Sequence, residues 1–151
     1  MRTFKPNKFL TREEKEKIVA AIKEAEKQTS GEIRVHLEKK TPAPVLERAK
    51  ELFFKLSLDK TRHKNGILIY LATREKLFAI IGDEGINQAV PAGFWDEIRD
   101  IIQKHFKDDN FSDGLVEAIQ KVGEKLKAYF PYQTDDRNEC PDEVNEGEIG
   151  K

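Results

Sequence analysis

Two acidic segments of this chain contain the residue types best suited to chemistry. In the first, Asp83 and Glu84 stand between Gly82 and Gly85, directly after an apolar run, and the second is the loop 108–114. Clustered carboxylates repel one another and raise each other's pKa unless a cation neutralises them. Oxygen ligands suit Ca²⁺ or Mg²⁺, and Ca²⁺ tolerates irregular loops better. These residue types therefore indicate a divalent-cation site, with calcium preferred over magnesium.

The same residues also have purely structural interpretations. Asp83 and Glu84 can form a polar turn in which Gly85 adopts a positive φ. Asp113 can be the third residue of a helix that Asn110 caps. The residues alone leave the metal site and these local roles open.

Other catalytic chemistries find little support in the sequence. The single cysteine, Cys140, does not begin a Cys-x5-Arg motif, and no glycine-rich phosphate loop occurs. The three histidines are not spaced for a zinc site. A metal-activated water is the remaining route to phosphate-ester hydrolysis, with Arg34, Arg62 and Lys64 as candidate aids to phosphate binding. Ordinary solvated surface is the alternative role of all three.

Hydrophobic periodicity predicts the elements that position these acids. It indicates four amphipathic helices, which begin near Thr11, Pro44, Phe94 and Leu115. Three strands are predicted at 32–38, 67–72 and 76–82. The first strand alternates polar and apolar residues, so we expect it to be half-exposed and near an edge of the sheet. The fold class is therefore α/β, with a small mixed β-sheet and helices packed on its faces.

This topology brings some of the acids together. A right-handed β-α-β crossover makes the first two strands parallel, and the hairpin makes the third antiparallel to the second. Glu32, Asn65 and Asp83 should then lie at one edge of the sheet. The loop 108–114 must lie over that edge or over the opposite one, and only the first arrangement would add Asp109 and Asp113 to the cluster.

The composition is consistent with one domain at 1–130 and an acidic tail at 131–151. The chain has 151 residues, 38% of them hydrophobic, and a net charge of −1. Seven acids and two bases in the tail predict disorder there. The sequence contains no cluster of basic residues of the kind that binds nucleic acid, so we expect no nucleic-acid partner. No signal-peptide core or eighteen-residue apolar stretch is present, so we expect a soluble, cytoplasmic protein without a transmembrane segment.

Several motifs in order resemble the TPM domain family, named for thylakoid-lumen, photosystem II repair and related membrane-associated proteins. The first is Ser-Gly-Glu-Ile at 30–33, and the second is Asn-Gly-Ile-Leu-Ile at 65–69. The remaining matches cover 78–86, 90–91 and 106–115. The resemblance extends from about Leu10 to Phe130.

The resemblance implies a sandwich with helices on both faces of the sheet and an acidic patch that binds Ca²⁺ or another divalent ion. By position, the patch falls on Asp83 and Glu84, with Glu32 and Asp109 or Asp113 as partners. We therefore expect a soluble cation-binding module that acts through interaction with a protein or a membrane-associated complex. The alternative is a metal-dependent acid phosphatase acting on phosphomonoesters, an activity reported for some plant members. Many members have a signal peptide and a membrane anchor, so an envelope location is the alternative if the chain is trimmed.

Overall fold

The computed structural model describes residues 10–131 and the short strand 144–146. Its helices are α1 (Arg12–Glu26), α2 (Val45–Lys55), α3 (Glu84–Ala89), α4 (Phe94–Lys107) and α5 (Phe111–Leu126). Its strands are β1 (Glu32–Glu38), β2 (Gly66–Ala72), β3 (Leu77–Gly82) and β4 (Val144–Glu146). A single 3-10 turn, Leu58–Lys60, lies between α2 and β2.

The strands form one mixed sheet in the order β3-β2-β1-β4. β1 and β2 are parallel, with Glu32 opposite Gly66, and β2 and β3 are antiparallel, with Ile67 opposite Gly82. Both orientations confirm the predicted topology.

Helices cover both faces of the sheet, which confirms the predicted α/β sandwich. On one face, Ile33, Val35 and Leu37 of β1 join the core formed with α1, α4 and α5. On the other face, Leu68 and Tyr70 of β2 pack with α2 and the 3-10 turn. Because alternate strand residues point to opposite faces, the continuous apolar run of β2 fills both cores.

The predicted helix start at Thr11 is confirmed in detail. The Glu14 N–H donates to the Thr11 hydroxyl at 3.1 Å, and the Thr11 N–H donates to the Glu14 carboxylate at 2.9 Å. Asn110 likewise occupies the N-cap position of α5, with Asp113 in the first turn, but its side chain makes no capping hydrogen bond.

The prediction that β1 is half-exposed near an edge is wrong. All seven of its residues are buried, and β1 lies between β2 and β4. At Glu38 the physical reason is visible, because Arg48 and Tyr70 donate hydrogen bonds to its carboxylate. The polar alternation of β1 therefore reflects charges held inside the protein.

Two other segments differ from expectation. The polar turn proposed at Asp83 and Glu84 is the start of the short helix α3, and Gly85 has no positive φ.

In the acidic tail, residues 144–146 pair with β1 as β4. Pro131, the first residue of the predicted tail, forms an isolated bridge with Thr29. The remaining tail residues lie outside the described part of the chain, and their disorder stays a prediction. Within the described part of the chain, no helix is long and apolar enough to cross a membrane.

Candidate functional site

One edge of the sheet, which we call the Asp83 end, gathers the starts of β1 and β2 and the end of β3. The Asp83 N–H donates to the Gly66 carbonyl at 3.0 Å, and Gly66 is opposite Glu32 in the sheet. The Glu32 N–H in turn donates to the Asn65 carbonyl at 3.3 Å. The predicted meeting of Glu32, Asn65 and Asp83 at one edge is therefore confirmed.

Asp83 has two different carboxylate oxygens. Oδ1 accepts a hydrogen bond from the Glu84 N–H at 2.7 Å and caps α3. Oδ2 is buried and has no hydrogen-bond partner in the described part of the chain. A buried polar group left in this state typically costs about 1–3 kcal/mol, and more when it is charged. Such an atom fits a bound cation, which would supply the missing partner.

A second buried carboxylate oxygen lies on the neighbouring 3-10 turn. Asp59 Oδ1 also lacks a hydrogen-bond partner among the described residues. The turn packs directly on the sheet, because the Leu58 carbonyl oxygen lies 2.5 Å from the position that a Cβ on Gly66 would take. The backbones of Asp59 and Asp83 therefore both flank Gly66.

Backbone carbonyls approach the same end of the sheet. The carbonyl oxygens of His63 and Lys64 occupy the space that a side chain on Gly85 would fill. Gly85 is thus required for close approach of the loop, and not for an unusual φ. Carbonyl oxygens of this kind are common Ca²⁺ ligands.

The other predicted ligands lie at the opposite edge, which we call the Glu38 end. There β1 and β2 end and β3 begins. Lys76, in the turn before β3, forms an ion pair with Asp109 at 2.8 Å. A strand rises about 3.4 Å per residue, so β3 separates Asp109 from Asp83 by ~20 Å. Asp113 follows in the first turn of α5 and is exposed.

The structure thus divides the predicted ligand set between two ends of the sheet. Glu32, Asp83 and Glu84 lie at one end, and Asp109 and Asp113 at the other. Across residues 10–131, no group of three or more His, Cys, Asp or Glu side chains is arranged to hold a metal ion. A cation at the Asp83 end would therefore need backbone carbonyls in addition to carboxylates.

Sequence reasoning missed a buried polar network at the Glu38 end. The Arg48 guanidinium donates from Nε to Glu38 Oε1 at 2.9 Å and from Nη2 to Oε2 at 2.5 Å. The Tyr70 hydroxyl donates to Oε1 at 2.5 Å, and His36 Nε2 lies 3.9 Å from Oε2. Arg48 also bonds Glu51 at 2.7 Å. The sequence did contain one indication of this network. Arg48 lies three residues after Val45 and therefore on the apolar face of α2, where a charged residue needs a buried partner.

The network shifts the pKa values of Glu38, Tyr70 and Arg48. Burial favours a raised pKa for Glu38, but the hydrogen bonds from Arg48 and Tyr70 outweigh burial and hold the pKa below its usual value. Burial, and then the bond to Glu38, raise the pKa of Tyr70. The bond to Glu38 raises the pKa of Arg48 against the opposing effect of burial. All three groups are therefore fixed in one protonation state near neutral pH.

Arg34 is another buried charged side chain on this face of β1, in addition to Glu32 and Glu38. It is only 4% exposed, and its Nε has no acceptor within the described residues. It lies two positions after Glu32 on the same face of the strand. Arg34 is therefore not the solvated surface residue that ordinary alternation would suggest.

Comparisons with known proteins agree with this architecture. The model of the TPM domain family matches residues 4–125. The chain is 50% identical to the BA42 protein of the psychrophilic bacterium Bizionia argentinensis, whose solution structure superposes with a TM-score of 0.90 and covers 95% of this chain and 99% of that one. No curated protein matches.

Two more distant structures show the same fold. The N-terminal domain of a protein from P. gingivalis is 18% identical, with a TM-score of 0.69, over 88% of this chain and 99% of that chain. The N-terminal domain of the cg2496 protein from Corynebacterium glutamicum is 12% identical, with a TM-score of 0.62, over 89% and 79%. The family match over most of the chain, together with the close likeness to BA42, places this protein in the TPM domain family.

Proposed function

We propose that this protein is a divalent-cation-binding α/β module, with Ca²⁺ as its preferred ion, that acts through interaction with other molecules. The observation that supports the proposal most is Asp83 Oδ2, a buried carboxylate oxygen that no hydrogen bond satisfies within the described residues. Buried charges in proteins are generally paired or bind metals. A cation next to Asp83 would remove the cost of this oxygen.

The surroundings of Asp83 favour calcium over magnesium. Asp59 contributes a second buried oxygen, and Glu32 and Glu84 lie at the same end of the sheet. The nearby carbonyls of the 58–64 segment are neutral oxygen donors. Ca²⁺ accepts such irregular mixtures of carboxylate and carbonyl ligands, whereas Mg²⁺ demands near-octahedral geometry and keeps several waters.

The proposal uses only part of the ligand set that the sequence predicts. Asp109 is ~20 Å from Asp83 along β3, and its carboxylate is already paired with Lys76. Asp109 and Asp113 therefore cannot hold the same ion as Asp83. They serve as internal controls for the position of the site.

A calorimetric titration of the metal-stripped chain with CaCl₂ and MgCl₂ tests the proposal. We expect saturable calcium binding that Asp83→Asn weakens by about tenfold or more, which corresponds to about 1.4 kcal/mol. The matched variant Asp113→Asn should bind calcium as the parent chain does. No calcium binding, or equal loss in both variants, would contradict the proposed site.

Arg34 favours a second candidate function, a metal-dependent phosphomonoesterase. A buried guanidinium with an unused Nε is a suitable partner for a phosphate oxygen, and a divalent ion at the Asp83 end could activate a water molecule. The test is turnover of p-nitrophenyl phosphate with Ca²⁺, Mg²⁺ or Mn²⁺. Turnover that requires a metal and is lost in both Arg34→Gln and Asp83→Asn would support the enzyme, and buffer-level rates under all conditions would eliminate it.

A further inference from the structure

The outer edge of β3 has few of the features that protect exposed strands. β3 is the last strand on its side of the described sheet. Residues 77–81 read Leu-Phe-Ala-Ile-Ile, without a charge, a proline or a glycine. Natural edge strands usually avoid association through charges, prolines, bulges or a covering element. An apolar edge of this kind is a ready-made template for another strand.

In the described part of the chain, no other strand pairs with the backbone groups that β3 directs toward this edge. The Asp83 N–H is directed at Gly66 of β2. Because antiparallel residues alternate between facing the partner strand and facing away, Phe78, Ile80 and Gly82 direct their backbone groups outward. The Gly82 carbonyl accepts from Asn87 Nδ2 at 3.0 Å, so α3 closes that end. The open portion of the edge is at Phe78 and Ile80.

A groove of about 640 Å³ runs along this open portion between α2 and α4. Its walls are mainly apolar, and Leu46 and Leu77 remain 49% and 43% exposed. Apolar grooves beside a sheet edge are a common setting for peptide recognition, because they hold alternate side chains of an added strand. The groove thus offers side-chain contacts on both sides of a strand that would add to β3.

The rim of the groove is basic. Lys76, Arg99 and Lys107 line it. Lys76 and Arg99 already pair with Asp109 and Asp96, but such exposed pairs are worth only about 0–1 kcal/mol and exchange readily for a new acidic partner. A second copy of this chain would bring the same basic rim against itself, which disfavours self-association through this edge.

We propose that the β3 edge binds an extended segment of another protein, in which apolar and acidic residues alternate, as an additional strand of the sheet. Main-chain hydrogen bonds to Phe78 and Ile80 provide affinity, and the groove and its basic rim select the side chains. This interaction does not depend on the proposed cation, because the groove lies away from Asp83.

The test is an NMR titration of the full chain in EDTA, so that its outcome is separate from that of the calcium experiment. The probe is a capped decapeptide of alternating valine and glutamate, and the control peptide alternates valine and lysine. We expect amide shifts concentrated at 76–81 and in the facing turns of α2 and α4. Affinity for the glutamate peptide should exceed that for the lysine peptide by about tenfold or more.

Two types of variant complete the test. Ile80→Pro removes an outward N–H without removing a bond to β2, so it should abolish binding by a folded chain. Leu77→Glu should weaken binding of the acidic probe, while the matched Leu77→Lys should not. Absence of shifts along β3, equal affinity for both peptides, or undiminished binding by folded Ile80→Pro would overturn the proposal. Dimerisation of the free chain that Ile80→Pro abolishes would also overturn it, because it assigns the edge to a second copy.

Discussion

The two ends of the sheet treat buried carboxylates in opposite ways. At the Glu38 end, Glu38 receives hydrogen bonds from Arg48 and Tyr70, and both of its oxygens are satisfied. At the Asp83 end, Asp83 Oδ2 and Asp59 Oδ1 are buried without hydrogen-bond partners among the described residues. The same residue type is therefore fully hydrogen-bonded at one end and keeps an unsatisfied buried oxygen at the other.

This difference shows that burial of an acid does not by itself identify a functional site. A buried carboxylate surrounded by hydrogen-bond donors is fully satisfied, and removing a donor lowers the stability of the fold because it leaves an uncompensated buried charge. A buried carboxylate oxygen without a donor lacks a partner that a water molecule or a cation would supply. The following substitutions separate the two cases.

The largest effect is expected for Arg48→Met. This change leaves the Glu38 charge buried without its main partner, so the free energy of unfolding should fall by about 3–5 kcal/mol. Urea unfolding measures the change. The double variant Glu38→Gln with Arg48→Met should recover part of the loss, and a loss below about 1 kcal/mol in Arg48→Met would show that the ion pair is dispensable.

Tyr70→Phe should have the next largest effect. It removes the hydroxyl that donates to Glu38 Oε1, a hydrogen bond to a charged group, and should cost about 2 kcal/mol in the free energy of unfolding. Tyr129→Phe is the matched control on an exposed tyrosine and should change stability by less than about 0.5 kcal/mol. Equal effects of the two substitutions would contradict a special role for Tyr70.

Asp83→Asn should raise the free energy of unfolding when divalent ions are absent, whereas Arg48→Met and Tyr70→Phe lower it. Asparagine caps helices as well as aspartate does, so α3 keeps its N-cap while the buried charge disappears. In EDTA we expect a gain of about 1 kcal/mol in the free energy of unfolding. Excess calcium should raise the melting temperature of the parent chain more than that of the variant, because the variant binds calcium more weakly. Destabilisation by Asp83→Asn in EDTA would instead indicate a fully satisfied carboxylate.

The smallest expected effect is on the pH dependence of the free energy of unfolding. The folded-state pKa of Glu38 lies below the ordinary value of 4.5, so its stabilising contribution is present above that pH and is lost as the pH falls through the folded-state pKa. Unfolding curves between pH 7 and pH 3 should show a weaker acid destabilisation in Glu38→Gln than in the parent chain. Parallel curves would mean that Glu38 is not linked to folding.

The sequence was sufficient to predict the fold class and the relative orientations of β1, β2 and β3. The apolar runs of β2 and β3, the tight turn between them and the crossover from β1 led to the correct strand orientations. They also placed Glu32, Asn65 and Asp83 correctly at one edge. These features follow from local patterning and from handedness rules that do not depend on distant contacts.

The sequence was not sufficient for features that depend on contacts between distant elements. Whether the α4–α5 loop lies over Asp83 or over the hairpin turn depends on how the helix pair is oriented on the sheet, and the structure places it beside Lys76. The burial of β1 depends in part on Arg48, which comes from another element. The position of Asp59 depends on the packing of the 3-10 turn on Gly66. No periodicity within one segment contains this information.

The most direct test of the account is an amide chemical-shift titration of the metal-stripped full chain with calcium. We expect the shifts to concentrate at the Asp83 end, at residues 58–66 and 82–86, and residues 108–113 at the Glu38 end to change little. Shifts centred on 108–113, or no shifts at millimolar calcium, would contradict the claim that the unsatisfied carboxylate oxygens at the Asp83 end bind a cation.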